Sequence, residues 1–350
     1  MKVAFGISLG SSVGFLGGAD TQKFMELVRM ADGYGATAIG TYDSAFLGGD
    51  AYVRATFIAL AAPRAAVGLR PSNPLTREPQ VMASFLASID RLTGGRAFLD
   101  IASGDSAVFN IGYPAASRAR IEDYVTCVRG LLARGKATYQ GRAQRVQWAG
   151  EVVRPRVPIS ICAEGPRMLH LAGRIGDGVI AGTGLLPEVI RDTVARVQAG
   201  AREAGRDPAE VDIWFTARSS LHEDRERAIE NVKASVSSIL NHAMRFGLDD
   251  KHVPDDLRTK IQDYVDGYEL YDHVLHAGRN PRRMTDLGLT DYAVDRWALA
   301  GAPRDWITRI EALADRGATK LWIGVSGRDL DTQIHNLKLM GEQILSRFVR

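Results

Sequence analysis

Two short runs carry the clearest chemistry in this sequence. In Ala163-Glu164-Gly165-Pro166-Arg167, Gly165 permits close backbone approach and Pro166 suits the first turn of a helix. A helix running on through Met168, Leu169, Leu171 and Ala172 would aim free amides and the positive end of its dipole at an anion. Arg167 could add a charge-assisted contact. An ordinary helix start has the same pattern. In Ser103-Gly104-Asp105-Ser106, Gly104 allows an unusual backbone, and the hydroxyls and carboxylate suit a polar ring system. Equally, Asp105 or Ser106 could cap a helix. Asp43 and Asp105 are both candidates for acid–base work, which keeps a carboxylate-dependent hydrolase open.

Other chemistries find little support. None of the seven histidines falls at an expected strand end. His273 and His276 are three apart but lack acidic or thiol neighbours at zinc spacing, so no metal is expected and these residues are assigned to the surface or an insertion. There is no nucleophile elbow and no Gly-Lys-Ser/Thr phosphate loop.

The elements that must hold these residues alternate. Strand-like runs cover Val3–Ser8, Thr37–Tyr42, Ala65–Arg70, Arg96–Ala102, Pro158–Ala163, Gly178–Gly182, Val211–Thr216 and Thr319–Val325. Amphipathic segments lie between them, among them Thr21–Tyr34, Gln80–Leu92, Arg120–Arg134, Pro187–Ala204 and Asp305–Arg316. Alternation implies parallel strands with helical crossovers, and eight units favour a closed α/β (β/α)8 TIM barrel over an open sheet. Residues 135–157 read as a β-hairpin excursion. Residues 234–298, after the seventh strand, read as a helical insertion covering the barrel mouth. The whole chain, 1–350, then forms a single barrel domain.

In such a barrel the site collects where strands end. The ends here are small and polar: Tyr42-Asp43-Ser44, Pro71-Ser72-Asn73, Ser103-Gly104-Asp105, Glu164-Gly165, Gly182-Thr183, Thr216-Ala217-Arg218 and Ser326-Gly327-Arg328. Polar loops are expected in any barrel, but the recurrence of glycine and serine is less general.

Composition sets limits. The 350 residues carry 44 Lys+Arg against 41 Asp+Glu, a net charge of +3, with no basic block. Neither nucleic acid nor a membrane is expected as a partner. No apolar run is long enough to span a bilayer, and no secretion signal is evident. Cys127 and Cys162 read as reduced core residues, which suits a cytoplasmic protein.

The ordered motifs Ser72-Asn73-Pro74-Leu75-Thr76-Arg77-Glu78-Pro79, Ser103-Gly104-Asp105-Ser106-Ala107 with Asn110-Ile111-Gly112, and Glu164-Gly165-Pro166-Arg167 with Gly176-Asp177-Gly178-Val179 resemble the luciferase-like flavin oxidoreductases. The similarity is greatest to the methylenetetrahydromethanopterin-reductase-type branch. The resemblance implies a cofactor-dependent oxidoreductase, often a homodimer or higher homo-oligomer, acting on a small organic substrate. Reduced FMN with oxygen, in a monooxygenase served by a separate flavin reductase, is the leading expectation. The deazaflavin coenzyme F420, in a hydride transferase, is the alternative. A non-redox ligand-binding barrel is a further one. The resemblance places Ser72 and Asn73 beside the ring, and Ser103, Gly104 and Asp105 near the ring or its ribityl chain. Glu164, Gly165, Pro166 and Arg167, with Gly182 and Thr183, fall at the phosphate end. Glu164 stands where relatives commonly have a hydroxyl, and it suits a phosphate only if it points away or pairs with Arg167. Related barrels carry a cis peptide after their third strand, which makes Arg70–Pro71 the candidate here.

Overall fold

The computed structural model describes residues 2–9, 16–154, 156–273, 275 and 277–349. His276 lies outside them. Among the described residues eleven strands are formed: β1 Ala4–Ser8, β2 Ala38–Thr41, β3 Ala66–Ser72, β4 Ala97–Ile101, β5 Lys136–Tyr139, β6 Arg142–Arg145, β7 Ile159–Ala163, β8 Gly178–Ala181, β9 Asp212–Leu221, β10 Ala298–Gly301 and β11 Lys320–Gly324. Eight of them, in the order β1-β2-β3-β4-β7-β8-β9-β11, pair in parallel, and β11 returns to β1 to close the barrel. β5 and β6 form the expected antiparallel hairpin between the fourth and fifth barrel strands.

Alternation along the strands separates two cores. One set of side chains packs outward under the helices, Phe5, Ile39, Leu69, Leu99, Ile161 and Phe215 among them. The other fills the barrel: Phe98, Trp214 and Trp322, with Ala38, Cys162 and Ile180. Glycine stands against two of these rings: a Cβ on Gly6 would lie 2.4 Å from the Trp322 ring, and one on Gly68 would lie 2.9 Å from the Phe98 ring. Both cysteines are free and buried, and burial pushes the Cys162 thiol well above its ordinary value.

Helices begin where capping chemistry directs. Pro79, Pro166, Pro187 and Pro303 each open one. Helix Ala51–Ala61, which shows weak amphipathic patterning, starts where the Asp50 carboxylate accepts from the Tyr52 and Val53 amides at 2.8 and 3.3 Å. Gly94 and Gly135 end their helices in left-handed conformation.

Two departures from the sequence reading occur at strand ends. β3 runs two residues beyond Arg70, through a cis Arg70–Pro71 peptide, and its register against β4 slips between Leu69 and Ser72. β9 runs five residues beyond Thr216 because Arg218–Leu221 pairs with β10, a strand the pattern did not reveal. Between β9 and β10 lie helices Arg225–Met244, Asp255–Asp266, Arg279–Asp286 and Thr290–Trp297. They share a small core of their own around Val236, Leu240, Tyr264 and Trp297. Among the described residues, no helix is long and apolar enough to cross a membrane.

Candidate active site

At the end of β3 the slipped register sets Ser72 opposite Ile101. Ser72 Oγ donates to Asp43 Oδ2 at 2.7 Å. The other Asp43 oxygen lies 3.4 Å from Arg77, which also pairs with Asp50 at 2.8 Å and stacks 4.1 Å above the Tyr52 ring. Asp43 is therefore buried, but compensated. Asn73 accepts from the Leu75 and Thr76 amides, each at 3.0 Å, so its side chain fixes the turn.

At the end of β4, Gly104 adopts φ of +100°, and a Cβ there would meet Val108 at 2.6 Å. That glycine is required by the turn. Asp105 makes no side-chain cap to the short helix after it. Its carboxylate turns instead toward the inserted helices, where it pairs with Arg245, lies 2.9 Å from His242 Nε2 and 3.6 Å from His273 Nε2. Arg245 also donates to the Gly104 carbonyl at 3.3 Å. Ser103 uses its carbonyl to hold the Ala116 amide at 2.7 Å. The Ser44 and Ser106 hydroxyls, 3.3 Å apart, tie the ends of β2 and β4 together.

At the end of β7, Glu164 turns to His242 Nδ1 at 3.7 Å. It packs over Gly182, whose absent Cβ would lie 2.9 Å from the carboxylate. Its partner is thus His242, while the Arg167 side chain is exposed. Gly165 and Pro166 open helix Pro166–Ile175, with no side chain capping its amides. Lys251 of the insertion is the nearest neighbour here, 3.7 Å from where a Gly165 Cβ would stand. The Thr183 hydroxyl pairs with Thr193 at 2.9 Å, and the Thr183 and Gly182 carbonyls accept from Arg296 and Trp297, each at 2.9 Å.

The electrostatics follow from this packing. Burial works to raise the Asp105 carboxyl, but His242, Arg245 and His273 outweigh it and hold Asp105 far below the carboxylate range. Burial likewise opposes ionisation of Glu164, and His242 and Arg245 reverse the sign. For His242, burial disfavours the imidazolium, yet the two carboxylates raise its pKa overall. His273 goes the other way: burial lowers it to about 4, so it is neutral at pH 7, and its Nδ1 lies 2.7 Å from the Tyr268 hydroxyl. Burial lowers Lys251 to about 8. His242 Nε2 is a buried atom whose contact with Asp105 is an ion pair without hydrogen-bond alignment. The mouth thus contains a carboxylate pair bridged by one imidazole, with Nε2 toward Asp105 and Nδ1 toward Glu164.

Of the residues singled out in the sequence, the structure joins Ser72 to Asp43, and links Asp105 to Glu164 through His242. Asp43 and Asp105 belong to separate ion networks. His242, Arg245 and Lys251 were not anticipated, because they lie between β9 and β10 far from any strand end, and His273, assigned to the surface or an insertion, lies in the insertion and is buried. The one available signal was the spacing of His242 and Arg245, which shares a helix face at the end of Arg225–Met244. Among the described residues no metal-ligating cluster is formed.

Residues 1–320 match the family model described as luciferase-like monooxygenase, and the chain belongs to that family. It is 28% identical over 303 residues to a 5,10-methylenetetrahydromethanopterin reductase of Methanolobus tindarius, covering 85% of this chain and 87% of the relative. It is 27% identical over 293 residues to an F420-dependent glucose-6-phosphate dehydrogenase of Nakamurella multipartita, covering 81% and 78%. Among solved structures, the coenzyme F420-dependent tetrahydromethanopterin reductase of Methanopyrus kandleri shares the fold, with a TM-score of 0.75 at 23% identity over 99% of this chain and 100% of that one. The monooxygenase RslO1 of Streptomyces bottropensis shares it with a TM-score of 0.70 at 20% identity, over 99% of each.

Proposed function

We propose that this oxidoreductase is a hydride transferase that uses the deazaflavin coenzyme F420 and acts on a small organic substrate. The observation that carries the reading is His242, set at the barrel mouth between Asp105 and Glu164, which together raise its pKa. Relatives named for F420 turn the reading toward the deazaflavin. Reduced FMN with oxygen, first in the sequence reading, has support only from monooxygenases that share the fold at low identity. The separate flavin reductase belongs to that reading and is set aside with it. Assembly as a homodimer or higher homo-oligomer and residence in the cytoplasm remain part of the proposal.

The residues present fit a phosphate-bearing cofactor. The uncapped start of helix Pro166–Ile175, together with Lys251, offers amides, dipole and a cation to the phosphate. Ser72 and the Ser103–Asp105 turn would border the ring, with Gly182 leaving room for Glu164 to fold away. When bound, a deazaflavin gives or accepts a hydride at carbon. The matching proton must reach or leave the substrate heteroatom. His242 would give or take that proton; Asp105 faces its Nε2 and Glu164 its Nδ1, both favouring the imidazolium, and Arg245 fixes Asp105. The insertion brings His242 and Arg245 to this network from the end of helix Arg225–Met244.

Separate titrations with F420, FMN and reduced FMN test the reading. F420 should bind at least tenfold tighter than either flavin, and the reduced complex should not consume oxygen. Tighter binding of reduced FMN accompanied by oxygen uptake would return the monooxygenase to first place.

A further inference from the structure

We propose that Arg218 receives an oxyanion of the substrate, a carboxylate or phosphate, at the mouth of the barrel. The placement follows from the alternation along β9. Trp214 lies in the barrel interior, whereas Phe215 and Ala217 belong to the outer core, so Thr216 and Arg218 face inward. Arg218 stands just beyond the last rungs of its barrel pairings, Ala181–Phe215 on one side and Ile323–Ala217 on the other. Only β10 continues beside it, with Ala298 opposite. The side chain therefore emerges over the barrel opening.

Its charge is what stands out. Three other cations of the mouth have carboxylates: Arg77 has Asp43 and Asp50, Arg245 has Asp105, and Arg70 has Asp100 at 3.7 Å; Lys251 donates to the Ala243 carbonyl at 2.6 Å. Among the described residues Arg218 has neither a carboxylate within ion-pair distance nor a hydrogen-bond acceptor. Burial and the like charge of Arg70 push it down, to about 10, with Glu164 opposing; it stays protonated at neutral pH. The guanidinium is half-buried, and no anion among the described residues completes it. Its planar fork matches a carboxylate or phosphate with two parallel hydrogen bonds.

The substrate is the better source for that anion than the cofactor. The phosphate of the cofactor already has Lys251 and the helix start at Gly165. The two cations come from different places in the fold: Lys251 stands beside Gly165 at the start of helix Pro166–Ile175, and Arg218 stands at the end of β9 opposite Ala298. This assignment rests on the proposed function, which makes the mouth a shared pocket for cofactor and substrate.

The test uses the full-length chain saturated with F420 and titrated calorimetrically with inorganic phosphate and with benzoate, ionic strength being held with chloride. At least one oxyanion should bind saturably, and R218M should weaken it tenfold or more while F420 affinity stays within threefold. R218K, which keeps the charge without the fork, should lose less; it also serves if R218M does not fold, as judged by circular dichroism. Equal oxyanion binding in wild type and variant, or none in wild type, would overturn the proposal. A parallel loss of F420 affinity would overturn the assignment to substrate and give Arg218 to the cofactor. Should F420 not bind the wild type at all, the proposed function fails, yet the same titrations without cofactor still decide whether Arg218 holds an oxyanion.

Discussion

The barrel strands reach the mouth with glycine and serine, at Ser72, Ser103, Gly104, Gly165 and Gly182, whereas the helices between β9 and β10 reach it with His242, Arg245, Lys251 and His273. The strand ends supply space and three carboxylates, Asp43 and, facing the insertion, Asp105 and Glu164. The insertion supplies most of the groups that set their ionisation. The same difference divides the apolar packing, since the barrel interior and the inserted helices form distinct clusters. A wall built of repeating parallel strands tolerates little change, while helices added after the seventh barrel strand can vary their side chains without disturbing closure. Stability and chemistry should therefore separate between the two regions on mutation.

The sharpest separation is expected at His242. H242Q should lower the rate of hydride transfer on the order of 100-fold or more, the usual contribution of a positioned acid or base, with little change in F420 affinity. Stability should respond with a definite sign. The pKa of His242 is raised in the folded state, so its contribution is complete below the unfolded value of about 6.5 and is lost as pH rises through the folded value. The gap in denaturant midpoint between wild type and H242Q should thus be greatest in acid and narrow above neutrality. A rate unchanged by H242Q would leave the insertion a mere cover.

The opposite outcome is expected in the wall. Gly6→Ala places a methyl 2.4 Å from the Trp322 ring, and the barrel must shift to admit it. Overpacking of this kind costs roughly 1–3 kcal/mol. Chemical denaturation should show that loss, while the pH dependence of turnover, set by His242 and its carboxylates, keeps its shape. A changed pH profile in G6A would mean that wall and insertion are not separable.

These regions also differ in what their sequences disclose. Parallel strands buried on both sides repeat as short apolar runs, and the eight barrel strands could be read from them. Their ends could be read less well. β3 and β9 continue beyond their apolar runs because Ser72 finds Ile101 after a slip in register and Arg218–Leu221 finds β10, and such pairings leave no local pattern. Glycine and serine at strand ends pointed to the mouth, and Ser72, Asp43, Asp105 and Glu164 are assembled there. Their partners were not legible. His242 and Lys251 lie 78 and 87 residues from Glu164, differences read directly from the numbering. No spacing rule connects positions that meet only through tertiary packing. Asp105 shows the same limit in reverse: its local sequence suits a helix cap, but the distant Arg245 and His242 claim its carboxylate.

The smallest effects should separate the two regions at a single helix start. Arg167 is local to Gly165-Pro166 in sequence, and its charge alone suggested the anion contact. Its side chain is exposed, however, and an exposed charge near a helix N-terminus is worth about 0.3–1 kcal/mol. R167A should weaken F420 by roughly two- to fivefold, and high salt should erase the difference. Lys251 comes from the insertion, is buried beside Gly165 and donates to the Ala243 carbonyl at 2.6 Å. A charged hydrogen bond in that setting contributes about 1.5–3 kcal/mol, so K251M should weaken F420 on the order of tenfold or more and resist salt. A deazaflavin analogue without the phosphate should bind wild type and K251M alike. If it is weakened as much as F420, Lys251 supports the fold of the mouth and does not contact the phosphate. If R167A has the larger effect, the anion is held by the barrel's own loop, and the division between a permissive wall and an active insertion fails at the phosphate end.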